Sequence, residues 1–243
     1  MQLNGKVALV TGGAVRLGRS IAVALAQQGA DVAITYNSSA GPAEAVVAEI
    51  AASGCRAVAF QADFSRTSDM ARLVEKVLAR FGHLDILVNS AAVFERGEWD
   101  TTTEENWDRH FAINLKAPFF LSQAFGRHVK ARGTRGHIVN IADWRGVRPG
   151  TDHMAYTLTK VGVVGMMSSL ALALAPEIQV NAIAPGLILP PPGANEAFVA
   201  RKAAALPLAR SGSPEEIVKA VLYLLDSDFV TGELLYVTGG EHL

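Results

Sequence analysis

Seven short apolar runs recur along the chain: "KVALVTG", "DVAITY", "RAVAFQAD", "LDILVNSA", "GHIVNIAD", "IQVNAIAPG" and "LLYVTGG". None alternates polar with apolar residues, and a strand without such alternation is buried on both faces. Segments of helical period separate them, starting near Leu17, Gly41, Thr67, Thr103, Met154 and Pro214. Strands buried on both faces and alternating with helices form a parallel sheet covered by helices on both sides. The pattern therefore predicts an α/β fold, a single doubly wound Rossmann domain over residues 1–243 with a seven-stranded parallel sheet. A ligand in such a fold binds outside the carboxyl ends of the strands, where the Gly, Asn and Asp residues that end these runs fall.

Two segments depart from this texture. In "APGLILPPPGANEAF", residues 184–198, three consecutive prolines and two glycines predict an irregular insert at the carboxyl edge, read as a substrate lid in preference to a mere connection. The helix from about Met154 to Ala175 is apolar nearly all round after Lys160. An outer helix without a polar face is covered by something, here expected to be a second copy of the chain, with burial by the chain's own neighbours as the alternative. The longest uncharged stretch, Val161 to Pro176, is interrupted by Ser168 and Ser169 and reads as too short to span a bilayer. A formal net charge of -1 gives no reason to expect nucleic acid or an anionic membrane as partner. The start, "MQLNGKVALVTGG", shows neither a basic leader nor a cleavage site, and the single Cys55 cannot form an internal disulfide. Both point to a cytoplasmic protein with Cys55 as a half-buried thiol, and no metal site is expected.

The first strand runs into "TGGAVRLG", residues 11–18. Gly12, Gly13 and Gly18 allow a tight turn and close approach of a phosphate, while the following helix supplies free N–H groups and a positive dipole end. Between a first strand and a first helix, such a turn is the setting of a dinucleotide site. A cofactor with a free ribose 2′-hydroxyl calls for an acid at the end of the second strand, but Tyr36, Asn37, Ser38 and Ser39 are neutral there and the next acid is Glu44. With Arg16 in the glycine turn, these residues suit a 2′-phosphate and hence NADP over NAD. Two further strand ends fit one ligand: Ala62, Asp63 and Phe64, with Asp63 placed for an adenine amino group, and Asn89, Ser90 and Ala91, a small-residue surface for ribose and nicotinamide. Taken singly, each also reads as a cap or turn.

Tyr156 and Lys160 stand four residues apart and so share a helical face. An ammonium beside the phenol is expected to lower its pKa towards working pH and make it a general acid. Thirteen residues before the tyrosine stands Asp143. A carboxylate there is hostile to carbonyl reduction. It cannot donate to the developing oxyanion, and at about 4 Å it repels that charge by roughly 4 kcal/mol at an effective dielectric near 20, about a thousandfold in rate. Hydride addition to a C=N bond leaves a ring nitrogen that takes a proton, which a carboxylic acid can deliver or relay. This requires Asp143 to be at least transiently protonated, a state that burial and neighbouring negative charge favour.

Together these motifs resemble the short-chain dehydrogenase/reductase family over essentially the whole chain. The glycine turn matches its TG-x3-[AG]-x-G except at Arg16; "NSAA" corresponds to its N-N-A-G, Asn114 to its helix asparagine, Tyr156-x3-Lys160 to its catalytic pair, and Pro185, Gly186 and the residues up to Ile188 to its nicotinamide loop. Arg16 followed by Leu17, Phe94 five residues after Asn89, Asp143, "NLKAPFFL" and a "PGL" loop without the usual threonine are similar to the pteridine reductases. "DWRGVRPGTDHMAY", with His153 three before the tyrosine, is similar to the dihydromonapterin reductases of that branch. The resemblance implies NADPH as reductant, a dihydropterin as substrate, a homotetramer, Phe94 stacking the pterin against the nicotinamide, and Arg16 touching both cofactor phosphate and pterin. The mechanism expected is that Asp143 and Tyr156 relay the proton, with Lys160 holding tyrosine and ribose and Asn114 anchoring a water. Ala92 departs, standing where those enzymes often carry a serine.

Plainer readings stand beside these. Asp143 also reads as a strand-end cap, Phe94 as core, Trp144 as a loop anchor, His153 as a helix start or a substrate contact, and Arg145 and Arg148 as a solvated loop. The rival functions are reduction of another substrate, such as a ketoacyl thioester, sugar or steroid, and non-enzymatic regulation by a bound NADP.

Overall fold

The computed structural model describes residues 1–66, 68–190 and 195–243. Among the described residues, β1 (Val7–Val10), β2 (Asp31–Tyr36), β3 (Ala57–Gln61), β4 (Ile86–Asn89), β5 (Gly136–Ile141), β6 (Ile178–Pro185) and β7 (Leu234–Val237) form one parallel sheet in the order β3-β2-β1-β4-β5-β6-β7. The absence of polar alternation has a direct cause. Within β1, Leu9 packs on one side of the sheet and Val10 on the other, and within β4, Leu87 and Val88 do the same. One layer is closed by α1 (Arg16–Gln27), α2 (Ala40–Ala52) and α8 (Pro214–Asp226), through Ile21, Leu25, Val46, Ile50, Ile217 and Leu224. The other is closed by α3 (Ser68–Phe81), α5 (Ala117–Arg132) and α6 (Met154–Leu174), through Val77, Leu121, Phe125, Val163 and Met167. Each fully buried side chain of this kind contributes roughly 1.5–3 kcal/mol.

The helix expected to start at Thr67 begins, as described, at Ser68; Thr67 itself lies outside the described residues. The segment expected from Thr103 is α4 (Glu104–Phe111), capped by Thr103 Oγ1 accepting from Asn106 N at 3.1 Å, and it runs through a π turn, Ala112–Lys116, directly into α5. The expectation of irregular chain over 184–198 needs correction at both ends. β6 extends to Pro185, and α7 (Glu196–Ala204) starts inside the segment because Asn195 Oδ1 accepts from Phe198 N at 2.8 Å. Residues 191–194, the centre of the expected lid, lie outside the described residues.

α6 has 21 residues and is long and apolar enough to cross a membrane by length and composition, more so than the stretch read from the sequence. One face of it nonetheless packs against the sheet and carries Tyr156, Lys160, Val163 and Met167. Among the described residues, Leu158, Val161 and Leu172 on its opposite face are exposed, as are Phe119 and Phe120 of α5. An apolar groove runs between α4, α5 and α6, lined by Phe111, Leu115, Phe119, Phe120, Met166 and Leu170. Cys55 is free and half-buried, its thiol 3.2 Å from Ala26 O.

Candidate active site

The strand order reverses between β1 and β4, so the loops after those two strands part at the carboxyl edge and leave a crevice. Thr11, buried at the end of β1, ties the two loops together: its Oγ1 accepts from Ser90 N at 2.9 Å and Ala91 N at 3.0 Å. Gly12 follows with φ +66° and donates to Thr35 Oγ1 at 3.0 Å. A Cβ on Gly12 would meet Ala91 Cα at 3.0 Å, and one on Gly18 would lie 2.3 Å from Gly12 O. Only glycines let the turn fold this tightly, and the start of α1 stays bare. Its N-cap Val15 makes no side-chain cap bond and its first turn carries no acid, so the N–H groups and positive dipole end face the cleft. By contrast, α8 is closed by a full capping box at Ser213 and Glu216.

The cleft has a volume of about 420 Å³. Around the glycine turn it is lined by Gly12, Arg16, Leu17 and Gly18, and towards β2 by Tyr36 and Asn37. Ala62, Asp63, Phe64, Ser90 and Ala91 line its middle, and Phe94, Asp143, Tyr156, Lys160, Pro185, Gly186 and Ile188 its far end. Some expected residues sit elsewhere. Ser38 and Ser39 lie beyond the lining at the rim, because α2 starts at Ala40 and turns the chain away. Asn89 is beneath the floor: its Nδ2 donates to Asn140 Oδ1 at 2.9 Å, and its buried Oδ1 has no partner among the described residues. Asp63 is a turn residue as well as a cleft wall. Its Oδ1 accepts from Ser65 N and Oγ, which holds its carboxyl below the usual range. Arg16, exposed and at φ +52°, where side chains rarely sit, donates across the cleft to Pro190 O at 3.0 Å.

At the far end, Tyr156 Oη donates to Asp143 Oδ2 at 2.7 Å, while Asp143 Oδ1 accepts from Arg145 N at 2.8 Å and caps the short 3₁₀ turn Trp144–Gly146. Asp143 is thus a cap, as the plainer reading had it, but one oxygen is left for the tyrosine. Lys160 Nζ donates to Ile141 O at 2.7 Å and lies 5.5 Å from the centroid of the Tyr156 ring, against its face and not at its oxygen. This overturns the expected direction for the phenol. Burial first, then the Asp143 charge and hydrogen bond, push the Tyr156 pKa well above its ordinary value. Burial lowers the Lys160 ammonium to about 8, against the opposing pull of Asp143.

Asn114 clamps the loop that carries Phe94. Its Oδ1 accepts from Val93 N at 2.9 Å, and its Nδ2 protons go to Val93 O at 2.9 Å and Thr159 Oγ1 at 3.3 Å. Arg148 lies in an exposed loop, as the solvated reading has it, whereas Arg145 is largely buried. Arg145 Nη1 bonds Asp152 Oδ1 at 2.6 Å and helps hold that carboxyl down to about 2, while Arg148 donates to His242 O at 3.2 Å and to Leu243 O. The residues that hold the Gly186 loop went unread in the sequence. Leu187 N donates to Glu241 Oε2 at 3.0 Å and Leu187 O accepts from Gly212 N at 2.9 Å, contacts made across 54 and 25 positions with no local signature. Burial raises the Glu241 carboxyl above its usual value.

A doubly wound parallel sheet with a bare glycine turn at its switch point, and with a tyrosine and a lysine on one helix facing the same cleft, defines an oxidoreductase of the dinucleotide-binding class. Comparison with known proteins narrows this. The family model described as "Enoyl-(Acyl carrier protein) reductase" matches residues 13–242. The hydroxynaphthalene reductase-like protein Arp2 of Metarhizium guizhouense is 37% identical over 258 residues, covering 98% of this chain and 96% of that protein. Among solved structures, FolM alternative dihydrofolate reductase 1 from Brucella canis, complexed with NADP, is 36% identical with a TM-score of 0.92, covering 100% of this chain and 96% of that one. The blue fluorescent protein from a metagenomic library, in complex with NADPH, is 35% identical with a TM-score of 0.91 over 99% of each chain. The chain belongs to the short-chain dehydrogenase/reductase family of oxidoreductases. These relatives differ in substrate at nearly equal identity, so likeness alone does not choose the acceptor.

Proposed function

We propose that the protein uses NADPH to reduce a dihydropterin, adding hydride to the carbon of a ring C=N bond and a proton to its nitrogen. The observation that carries this reading is the 2.7 Å hydrogen bond from Tyr156 Oη to Asp143 Oδ2. A carboxylate in that place opposes an oxyanion but accepts an N–H donor, and it shares its proton traffic with the phenol. NADPH fits the bare start of α1, the glycine turn too tight for a Cβ at Gly18, and a β2 end where Tyr36 and Asn37 offer no carboxylate to a 2′-phosphate. When bound, it supplies the hydride.

The chain's own residues supply the rest. The Asp143–Tyr156 pair enters turnover with a proton on each group. It gives one to the ring nitrogen and comes to rest as a phenol donating to a carboxylate, the arrangement seen here. A phenol pushed above its ordinary pKa passes its proton to the strongly basic nitrogen and takes another at once from Asp143, so it is protonated at the start and at the end of the relay. Lys160 holds the tyrosine ring and the ribose, Asn114 fixes the Phe94 loop, and Phe94 and Arg16 face the pterin. The open groove between α4, α5 and α6 supports assembly with further copies, with a tetramer favoured, and a single unpaired thiol is in keeping with the cytoplasm.

Initial-rate NADPH oxidation tests the reading with a dihydropterin, a simple ketone and a ketoacyl thioester. Turnover of the dihydropterin is expected. Turnover confined to the carbonyl compounds makes the protein a carbonyl reductase, and binding of NADPH without turnover of any acceptor makes it a regulator. A pH dependence follows from Lys160. Its folded pKa is depressed to about 8, so the free enzyme loses the ammonium as pH rises through that value. The ratio kcat/KM for NADPH, which reports the free enzyme, is expected to fall above about pH 8. A profile flat to pH 9.5 contradicts a working ammonium.

A further inference from the structure

We infer that His153 is a positioning residue for the acceptor: stacked flat behind Phe94, it makes that phenylalanine a fixed aromatic shelf whose open face sets the plane of the substrate ring. This deepens the dihydropterin reading and rests on it for the identity of the acceptor. The two rings are 4.0 Å apart between centroids and 7° from parallel, and the Phe94 ring also meets Tyr156 edge-on at 4.6 Å and 80°. Phe94 lines the cleft and is 41% exposed, whereas the His153 side chain, behind it, is 11% exposed.

His153 is the N-cap of α6 yet makes no side-chain cap bond, and among the described residues its Nδ1 pairs with the adjacent Asp152 carboxylate at 3.2 Å. The backbone on both sides is pinned. Asn114 clamps Val93, Glu95 N donates to His110 Nε2 at 3.3 Å, and Met154 N donates to Gly97 O at 2.7 Å, so the Phe94 loop and the start of α6 cannot drift apart. Arg145 fixes Asp152 beside His153 and donates its backbone N–H to Asp143. One short loop therefore places both the proton donor and the backing of the shelf. A lone half-exposed phenylalanine keeps rotamer freedom that a flat acceptor must freeze on binding. A second ring behind it removes that freedom beforehand.

The experiment compares His153→Ala and His153→Phe with the wild type in KM and kcat for a dihydropterin, KM for NADPH, pterin fluorescence quenching and thermal stability. His153→Ala is expected to raise the pterin KM and Kd about tenfold, the worth of one aromatic stack, with kcat and the NADPH KM little changed. His153→Phe keeps the stack and is expected to restore both to within about twofold of wild type. A merely structural residue would lower the melting temperature and the active fraction while leaving KM unmoved. An unchanged pterin KM in His153→Ala, or equal defects in the two variants, overturns the inference alone. A wild type that neither binds nor reduces a dihydropterin overturns the functional reading and this inference with it.

Discussion

Asp143→Ser is expected to cut dihydropterin turnover by roughly tenfold or more, because the acid that reloads the pair with a proton is gone. The same change is expected to improve turnover of a simple ketone. Near Tyr156 Oη the carboxylate repels a developing oxyanion by roughly 4 kcal/mol at an effective dielectric of 20, about a thousandfold in rate, and a serine hydroxyl donates to that oxygen instead. The two effects run in opposite directions, so their ratio is the quantity to measure, from kcat/KM on a pterin and a ketone with one preparation of each protein. Equal losses on both acceptors would mean that Asp143 acts only as the cap that receives Arg145 N.

Tyr156→Phe is expected to lower kcat for dihydropterin reduction by about 10²–10⁴-fold, the usual worth of a placed general acid. NADPH affinity should change little, since the ring that Lys160 lies against remains. Single-turnover loss of NADPH absorbance isolates the chemical step. A variant that keeps more than a tenth of the wild-type rate would move the proton delivery away from this pair.

Much of this was legible because it is local. Leu9 and Val10, or Leu87 and Val88, must both be apolar when successive residues face opposite covered layers, so each strand announces its own burial. Gly12 and Gly18 are forced by a clash with backbone a few residues away, or with the adjoining Ala91 loop, which only glycine avoids. Tyr156 and Lys160 share a face because a helix repeats every 3.6 residues.

What stayed hidden depends on partners distant in sequence. The tyrosine's pKa was expected to fall because Lys160 is four residues away, but Asp143 reaches the hydroxyl while Lys160 reaches only the ring face. Thr11 and Glu241 hold loops through backbone amides, and any amide serves, so the recipient residues carry no mark. The π turn at Ala112–Lys116 inserts within a continuous helical period, and α7 was masked by the prolines before it although Asn195 is an ordinary cap. His153 read as either a helix start or a substrate contact. It is the helix N-cap but makes no cap bond with its side chain, and its ring meets Phe94 from a loop 59 positions away.

The central claim is that the acceptor is a ring nitrogen's carbon and not a carbonyl. NADPH carrying deuterium at the transferable position, supplied to a mixture of dihydropterin and ketone, tests it in one measurement by mass spectrometry of the products. The label is predicted to appear on a ring carbon of the reduced pterin, with the ketone unlabelled and unreduced. Deuterium found in the alcohol, with the pterin unlabelled, would contradict it.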